Sequence, residues 1–417
     1  MTNLTLKKAP VEIGTLDTID TPEDIVARAV AMRSELAAEC EENNRNGAFS
    51  RERFEAFKRA GFYRILSPRR YGGLEMGLDT FLRVVVEIGR ADPGSAWAMG
   101  LSAGHALHLA AYFPEQAQAE GFADNGNFIC PQRALPSGRA EKVDGGFRLS
   151  GEWSYASGVP HANWFMGAAN AFAEDGTPLP PIGFIIPREQ IEVLSDWGGD
   201  LVFGLQATGS NTIRIDDKII PDRWTSLFDW PRRELGEDGT PGFQIHGNPL
   251  YLGRIMTYFG CELSAPIVGA AKGALDEYRR LIDTQKTSFP PPQPRSESHF
   301  FQQWYGEAMG MVDAAETLLL GAAQRYTEAC EAWARDRTPF TFVEDARMRQ
   351  TALLAGRMAC DAVQLMFTSS GTTAARTNSR ILRFFRDTAT YRTHVTSQWP
   401  VMSHSAGKAS LGLGLTL

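Results

Sequence analysis

Two short segments that combine hydroxyl side chains with glycine are where this sequence could most readily do chemistry. Ser157 and Gly158 close the run Gly151-Glu-Trp-Ser-Tyr-Ala-Ser-Gly158, and Thr208-Gly209-Ser210-Asn211 has the same character. A glycine at the end of a strand lets a planar ligand approach the backbone closely, and the neighbouring hydroxyl could bind that ligand. A simple turn at a strand end would use the same residues, so the two segments alone leave both interpretations open.

The histidines and cysteines do not form a recognisable metal site. His105 and His108 are three residues apart and would share a helix face, but no third ligand follows at a metal-binding spacing. The sequence also lacks the glycine-rich dinucleotide and triphosphate fingerprints and the HExxH motif, and no serine-hydrolase elbow is predicted. Its five cysteines have no metal-binding spacing and are typical of free thiols in a reducing cytosol. We therefore expect no metal and a cytoplasmic location.

The composition is that of a globular protein with no affinity for polyanions. Hydrophobic residues make up 43% and charged residues 22% of the 417 residues. Lys and Arg number 42 against 49 Asp and Glu, which gives a formal charge of −7 and disfavours nucleic acid and anionic membranes as partners. No segment reaches the roughly 18 uninterrupted apolar residues of a membrane-spanning helix.

The elements that must position these residues fall into three parts along the chain. Residues 1–127 have helical signals, residues 128–245 have short apolar runs separated by Gly, Pro and Asp turns, and helical periodicity returns over residues 246–417. The predicted fold is a multidomain α+β architecture. It has an N-terminal helical domain, a central antiparallel β domain and a C-terminal helical bundle.

Local signals specify several of these elements. Thr21-Pro22-Glu23-Asp24 and Ser50 are typical of helix N-termini, and Thr341 with Glu344 is a capping-box candidate. Long helices are predicted at Met256–Thr284, Phe300–Asp336, Val343–Phe367 and Ser379–Thr393. Strands are predicted at Phe147–Leu149, Trp164–Met166, Ile182–Ile186 and Thr212–Ile215.

A series of short motifs runs through these three parts in a characteristic order. They are Gly61-Phe-Tyr-Arg-Ile-Leu-Ser-Pro-Arg-Arg-Tyr-Gly-Gly73, Ser95-Ala-Trp97 with Gly104-His105, Phe113-Pro-Glu-Gln-Ala117, Trp153-Ser-Tyr-Ala-Ser-Gly158, Gly204-Leu-Gln-Ala-Thr-Gly-Ser210, Asn248-Pro-Leu-Tyr251, and Arg383-Phe-Phe-Arg-Asp387 through His394. Together they resemble the acyl-CoA dehydrogenase fold. In detail they resemble the flavin-dependent monooxygenases built on that fold, the oxygenase components of two-component aromatic hydroxylases.

The resemblance implies roles for particular residues. Ser157 would hydrogen-bond flavin N5 and help hold the flavin C4a-hydroperoxide, His105 would face the substrate, and His394 would lie near flavin and substrate. Further flavin-binding residues implied by the motifs are Trp153, Tyr155, Gly158, Thr208 and Ser210, with Ser369, Ser370 and Gly371 holding the flavin tail of a neighbouring subunit. The chain departs from the family at Ile129-Cys130-Pro131, where a serine is frequent, so contacts from that loop are left open.

The resemblance also implies an activity and its partners. The enzyme would take reduced flavin (FMNH2 or FADH2) from a separate NAD(P)H:flavin reductase, bind O2, and hydroxylate a small aromatic, in particular phenolic, substrate as a homotetramer. A phenol reacts faster as phenolate, and a neutral imidazole with an ordinary pKa of about 6.5 can take its proton. The identity of the substrate, the choice between FMN and FAD, and oxygenation at carbon, nitrogen or sulfur stay open.

Two alternatives remain at this point. An acyl-CoA dehydrogenase needs a carboxylate base, yet Asp387 is the single acid between Gly371 and Val395, which counts against that activity. The other alternative is a non-catalytic, flavin-binding helical assembly. Convergence of Ser157, His105 and His394 on one pocket would argue against it.

Overall fold

Helices form both ends of the chain and strands form its middle. The computed structural model describes residues 20–229, 233–288 and 290–414. The N-terminal helices are α1 (Pro22–Asn46), α2 (Arg51–Arg59), α3 (Leu78–Gly89), α4 (Pro93–Tyr112) and α5 (Glu115–Gly121). The later helices are α6 (Pro241–His246), α7 (Ile255–Thr284), α8 (His299–Asp336), α9 (Phe342–Ser369), α10 (Arg380–Tyr391) and α11 (Trp399–Ser410). Within the described ranges, every helix falls short of the length and apolarity that a bilayer crossing requires.

The predicted caps explain where the helices begin. Thr21 and Asp24 form a capping box at α1, and Thr341 and Glu344 form another at α9. The Ser50 hydroxyl accepts from the Arg53 amide at the start of α2. Each cap satisfies backbone donors that the first helical turn leaves without a partner, so short polar side chains define these starts. The four long helices predicted after residue 255 are confirmed to within a few residues at each end.

The middle of the chain forms one mixed sheet that is mainly antiparallel. Its strands are β1 (Gln132–Arg133), β2 (Arg139–Val143), β3 (Gly146–Ala156), β4 (Trp164–Phe172), β5 (Ile182–Pro187), β6 (Glu192–Val193), β7 (Asn211–Pro221) and β8 (Thr225–Leu227). Their order is β6-β7-β3-β2-β4-β5-β8, with β1 also paired to β4. The predicted antiparallel β domain is confirmed, with one refinement: β1 and β2 both run parallel to β4.

The pairing of β3 with β7 changes register near the end of β3. Trp153 pairs with Ile213, but Ala156 pairs with Asn211. Three steps along β3 therefore match two steps along β7, which is a bulge with one extra residue on β3. The bulge sets which side chains face each other where the two strands leave the sheet.

The three sequence segments build two hydrophobic cores. One core is made by helices from both ends of the chain, and the other lies within the sheet around Leu149, Trp153 and Phe184. Helix α4 packs against α3 and α7, and every residue of α4 is buried. Small residues such as Gly100, Ala103 and Gly104 allow this close packing on all sides. Polar side chains on α4 are therefore enclosed by protein.

Candidate active site

Helix α4 carries the side chains around which the candidate site is built. The Asp92 carboxylate caps it by accepting from the amides of Gly94 and Ser95 at 3.1 and 3.3 Å. Trp97 and His105 lie two turns apart on this helix. Because the helix is capped and buried along its whole length, these side chains are held by the core rather than by a mobile loop.

Trp97 joins two of the predicted site residues. Its indole Nε1 donates to Ser157 Oγ at 3.0 Å, and its ring lies edge-on to His394 with centroids 5.6 Å apart. Ser157 immediately follows β3, whereas His394 follows α10. The structure therefore brings the end of the sheet, a central helix and the C-terminal helices to one place.

Ser157 belongs to a chain of hydroxyls in which each hydrogen position is determined. Thr208 Oγ1 lies 2.8 Å from the Leu205 carbonyl oxygen and must donate to it, because a carbonyl only accepts. Ser210 Oγ, 2.6 Å from Thr208 Oγ1, then has to donate to Thr208. Ser157 Oγ, 2.8 Å from Ser210 Oγ, has to donate to Ser210 in turn. Ser157 thus donates its hydrogen to Ser210 and accepts a hydrogen bond from Trp97. One lone pair of its oxygen remains for a ligand.

Helix α10 holds the loop that supplies this chain. The Leu205 amide donates to Asp387 Oδ1 at 2.6 Å, and Arg386 donates to the Phe203 carbonyl and to Gln206 Oε1 at 2.7 and 2.6 Å. Burial raises the pKa of Asp387 to about 7, while the bond from Leu205 opposes that rise. Asp387 is therefore a positioning residue for the loop.

Gly158 allows α4 to lie directly against the turn after β3. Its φ of +89° is one that other residues rarely adopt, and a Cβ there would lie 2.0 Å from Ser102 Oγ and 2.8 Å from the Ala98 carbonyl oxygen. Residues Gly100–Gly104 do have the glycine and serine spacing of a hydrolase elbow, which the sequence analysis missed. Ser102 lies inside α4 and not at a turn between a strand and a helix.

His394 presents a hydrogen-bond donor to the site. Its Nδ1 accepts from the Thr396 amide at 3.3 Å and lies 2.8 Å from Thr396 Oγ1. Since Nδ1 is an acceptor, the proton of the neutral ring is on Nε2. Burial, followed by the Arg133 guanidinium, lowers the pKa of His394 to about 4, so the ring is neutral at physiological pH.

His105 has the opposite tautomer. Its Nδ1 lies 2.7 Å from the Cys130 carbonyl oxygen and must donate to it, which leaves Nε2 as the basic nitrogen. Nε2 is 3.8 Å from Glu262 Oε2, beyond hydrogen-bonding distance, and Glu262 Oε1 accepts from Tyr258 at 2.6 Å. Burial lowers the pKa of His105 to about 4 and raises that of Glu262. The Cys130 loop, whose role the sequence left open, thus orients His105.

Two of the predicted flavin-binding residues lie elsewhere on the sheet. Trp153 packs inside the β core and donates to the Ala168 carbonyl at 2.9 Å. Tyr155 is 59% exposed and contacts the Trp197 ring, with centroids 5.1 Å apart. Neither side chain contacts the Ser157 hydroxyl chain.

The segment Ser369–Gly371 lies in a separate environment at the end of α9. Ser369 Oγ lies 2.8 Å from the Tyr278 hydroxyl, and Arg295 donates to the Ser370 carbonyl at 3.0 Å. A cavity of about 320 Å³ opens beside Ser370. Its lining includes Glu277, Arg280, Gln285, Thr373, Asn378 and Arg380. The cavity suits a polar or anionic group.

Sequence reasoning did not assign roles to Trp97, Glu262 or Leu205. Trp97 stood in a motif without a function, and the signal for Glu262 is a lone acid inside the apolar run of α7. The Leu205 carbonyl carries no side-chain signal at all. Among the described residues, no cluster of His, Cys, Asp and Glu could hold a metal ion.

The arrangement suits a planar ring that carries an N–H group. Gly158 leaves the turn without a side chain, Ser157 offers an acceptor, and His394 offers a donor close by. His105 adds a neutral base two turns along α4 from Trp97. These groups can orient a ring system and move a proton.

Models of the acyl-CoA dehydrogenase domains match both helical parts of the chain. The N-terminal domain model matches residues 24–123, and the C-terminal domain model matches residues 262–399. These ranges contain His105 and His394, whereas Ser157 lies on the sheet between them.

Known proteins resemble the chain over nearly its whole length. A pigment production hydroxylase from Rhodococcus sp. is 32% identical over 397 residues, which cover 94% of this chain and 97% of the relative. The oxygenase component of an FADH2-dependent resorcinol hydroxylase from Rhizobium sp. is 28% identical over 363 residues, covering 86% and 87%. The crystal structure of a 3-HSA hydroxylase from Rhodococcus sp. RHA1 gives a TM-score of 0.85 at 26% identity, covering 94% of this chain and 98% of that one.

Proposed function

The chain belongs to the acyl-CoA dehydrogenase-fold family of flavin-dependent monooxygenases, and on that basis we propose that it hydroxylates a small phenolic substrate as the oxygenase component of a two-component system. The contact of Trp97 with both Ser157 and His394 carries this proposal. It places an acceptor for a flavin N–H and a neutral imidazole donor at one point. The two relatives above are hydroxylases by name.

The residues around Ser157 fit the reactive edge of a reduced flavin. Reduced flavin bound there would supply the two electrons that activate O2, so that one oxygen atom of O2 enters the ring and the other leaves as water. The free lone pair of Ser157 Oγ would accept the N5 hydrogen, and Gly158 holds the turn that carries Ser157 directly against α4. The apolar surroundings of α4 exclude water, which protects a reactive bound group from side reactions.

The two histidines have different roles: His105 accepts a proton and His394 donates a hydrogen bond. His105 Nε2 is a free base and takes the hydroxyl proton of the phenol, which makes the ring a better nucleophile. His394 Nε2–H orients an oxygen acceptor beside the flavin edge. The opposite tautomers follow from the Cys130 carbonyl and the Thr396 amide, so neither histidine needs to change its ring orientation to act.

The cavity beside Ser370 is our candidate for the flavin tail. Arg380 supplies positive charge there, Arg280 is paired with Glu277, and Ser370, the C-cap of α9, lies in the wall. The Ser157 site and the cavity make no contact with each other among the hydrogen bonds of the described residues. We propose that the tail held here belongs to the flavin of a neighbouring subunit in a homotetramer, whose contacts would cover exposed apolar side chains such as Phe300 and Val401.

The partners follow from the same activity. A separate NAD(P)H:flavin reductase delivers the reduced flavin, because the chain has no nicotinamide fingerprint. A cytoplasmic location is supported by five cysteines that are all free and buried.

The dehydrogenase alternative is disfavoured by the position of Asp387. This acid accepts from the Leu205 amide and is 3% exposed, so it serves the loop rather than a substrate carbon. The non-catalytic alternative is disfavoured by the contact of Trp97 with both Ser157 and His394, although His105 has its own contacts with Cys130 and Glu262 two turns further along α4.

The deciding experiment follows the oxygen atom. Protein loaded anaerobically with reduced flavin is mixed with isotope-labelled O2 and a panel of phenols, and products are analysed by mass spectrometry. One labelled oxygen in the ring is expected. Absence of labelled product, together with reduction of bound oxidised flavin by an acyl-CoA thioester, would place the chain among the dehydrogenases. Sedimentation of a stable, active monomer would refute the shared tail site.

A further inference from the structure

The hydroxyl chain ending at Ser157 has a direction, and the direction is set by a backbone carbonyl. Thr208 must donate to the Leu205 oxygen, so Ser210 donates to Thr208 and Ser157 donates to Ser210. Ser157, Thr208 and Ser210 are all buried. Because Thr208 keeps donating to Leu205, turning the Ser157 hydrogen toward a ligand would lose one hydrogen bond of this buried chain.

The carbonyl at the end of the chain is itself firmly held. The Leu205 amide is bound by Asp387 at 2.6 Å, and the Leu205 oxygen also accepts from Trp197 Nε1 at 3.3 Å. At the other end, Trp97 donates to Ser157 at 3.0 Å. The Leu205 carbonyl fixes the direction of the hydroxyl hydrogens, and Trp97 occupies one lone pair of Ser157. The Ser157 hydrogen therefore points to Ser210 and away from the ligand.

Flavin N5 is a hydrogen-bond donor in one redox state and an acceptor in the other, and the Ser157 acceptor distinguishes the two. Reduced flavin has a hydrogen on N5 and can donate, whereas oxidised flavin has a lone pair on N5 and can only accept. An acceptor facing N5 makes a hydrogen bond with the first and an unfavourable lone-pair contact with the second. Unpaired polar groups in a buried site discriminate strongly between otherwise similar ligands.

Building on the proposed function, we infer that Thr208 and Ser210 make the site selective for reduced over oxidised flavin by holding Ser157 as an acceptor. They are positioning residues, because they act on N5 through the Ser157 oxygen. The selection needs no conformational change and no titrating group within the chain. It lets oxidised flavin leave after turnover while newly reduced flavin binds.

The test uses variants that release the Ser157 hydrogen. In Thr208→Val, Ser210 can turn to donate to Ser157, which frees the Ser157 hydrogen for N5. In Ser210→Ala, the Ser157 hydrogen loses its partner directly. Both variants should bind oxidised flavin more tightly than the wild type, while reduced flavin binds slightly less well. The dissociation constant of oxidised flavin divided by that of reduced flavin should fall about tenfold, as expected for one hydrogen bond to a buried group.

Two further variants show that the effect comes from direction rather than packing. Ser157→Ala has no hydrogen to release, so it should lose affinity for reduced flavin, and its gain in affinity for oxidised flavin, which comes from losing the lone-pair contact alone, should be smaller than in Thr208→Val or Ser210→Ala. Thr212→Val is the matched control, because Thr212 pairs with Ser154 at 2.6 Å outside this chain. It should leave both dissociation constants unchanged. The dissociation constants are measured at equilibrium by flavin fluorescence, anaerobically for the reduced form. The midpoint potential of the bound flavin should be lower than in the wild type in Thr208→Val, Ser210→Ala and Ser157→Ala, and unchanged in Thr212→Val.

The outcomes separate this inference from the proposed function. Wild-type protein that binds neither redox form of flavin would refute the proposed function and the inference with it. Wild-type protein that prefers reduced flavin, with Thr208→Val and Ser210→Ala showing the same preference, would refute the inference alone. A parallel loss of affinity for both redox forms in these variants would also refute it, since that is the signature of packing damage.

Discussion

The Ser157 region and the cavity beside Ser370 are built on opposite principles. Around Ser157 every hydroxyl of the chain is partnered, and its hydrogens are ordered from the Leu205 carbonyl to the ligand side. Beside Ser370 the cavity of about 320 Å³ is polar and open, and Arg380 on its wall is exposed. The first region is preorganised to orient a reacting group, and the second supplies charge. Reactivity and affinity should therefore be separable by mutation.

The largest effect should come from removing either histidine. We expect His105→Ala and His394→Ala each to lower the rate of hydroxylation about 100-fold, as is typical for one acid–base or orienting group. Affinity for reduced flavin should change little, because both variants keep the Ser157 hydroxyl chain and the cavity beside Ser370. Single-turnover product formation and equilibrium flavin binding measure the two quantities.

The pH dependence sharpens this prediction. Raising the pH should partly rescue His105→Ala, because bulk base then supplies phenolate. It should not rescue His394→Ala, since the missing group there is a donor. Equal rescue of both variants would contradict the opposite tautomers of the two rings.

A smaller effect, on flavin affinity and not on the rate of hydroxylation, should come from a substitution in the cavity beside Ser370. Arg380→Gln removes an exposed cation from its wall, and we expect the dissociation constant of reduced FMN to rise about tenfold, the range of one charge-assisted hydrogen bond. The fraction of O2 converted to product should stay unchanged. Reduced riboflavin, which has no phosphate, is the internal control. If its affinity falls as much as that of FMN, the cavity does not bind the tail.

The smallest effect at neutral pH should come from the loop anchor. The folded-state pKa of Asp387 is about 7, above the usual value of about 3.9. A raised pKa adds stability that is complete below pH 4 and is lost as pH rises to 7, at up to about 1.4 kcal/mol per pH unit. Asp387→Asn should remove this slope, with at most about a twofold change in flavin affinity at pH 7, where half of the carboxyl groups are ionised. Urea unfolding between pH 4 and pH 8 measures it, and an unchanged slope would contradict the assignment.

Much of the fold could be predicted from local patterns. The capping residues Thr21, Ser50 and Thr341 occupy their predicted places, because capping depends on residues only three positions apart. The parallel pairing of β1 and β2 with β4 could not be predicted. It depends on how β4 is shared between neighbours, and the alternation of side chains is the same in both orientations.

The sequence could indicate which side chains belong to the candidate site, but not the direction of the hydrogen bonds between them. Ser157 and His394 were predicted from the family resemblance, and the structure brings both to Trp97. The direction of the hydroxyl chain depends on a carbonyl at Leu205 and on a contact between residues 53 positions apart. No residue type encodes that direction, so it becomes visible once the atoms are placed.

The bulge near the end of β3 makes the length of this segment matter more than its composition. One extra residue between Trp153 and Ala156 brings Ser157, which follows β3, into line with Ser210, which precedes β7. A deletion of one residue here would turn the hydroxyl to the other face of the sheet, while leaving the amino-acid content nearly the same. Substitution of Ser154 or Tyr155, whose side chains contact Thr212 and Trp197 outside the hydroxyl chain, should therefore disturb the site less than any change in the length of this segment.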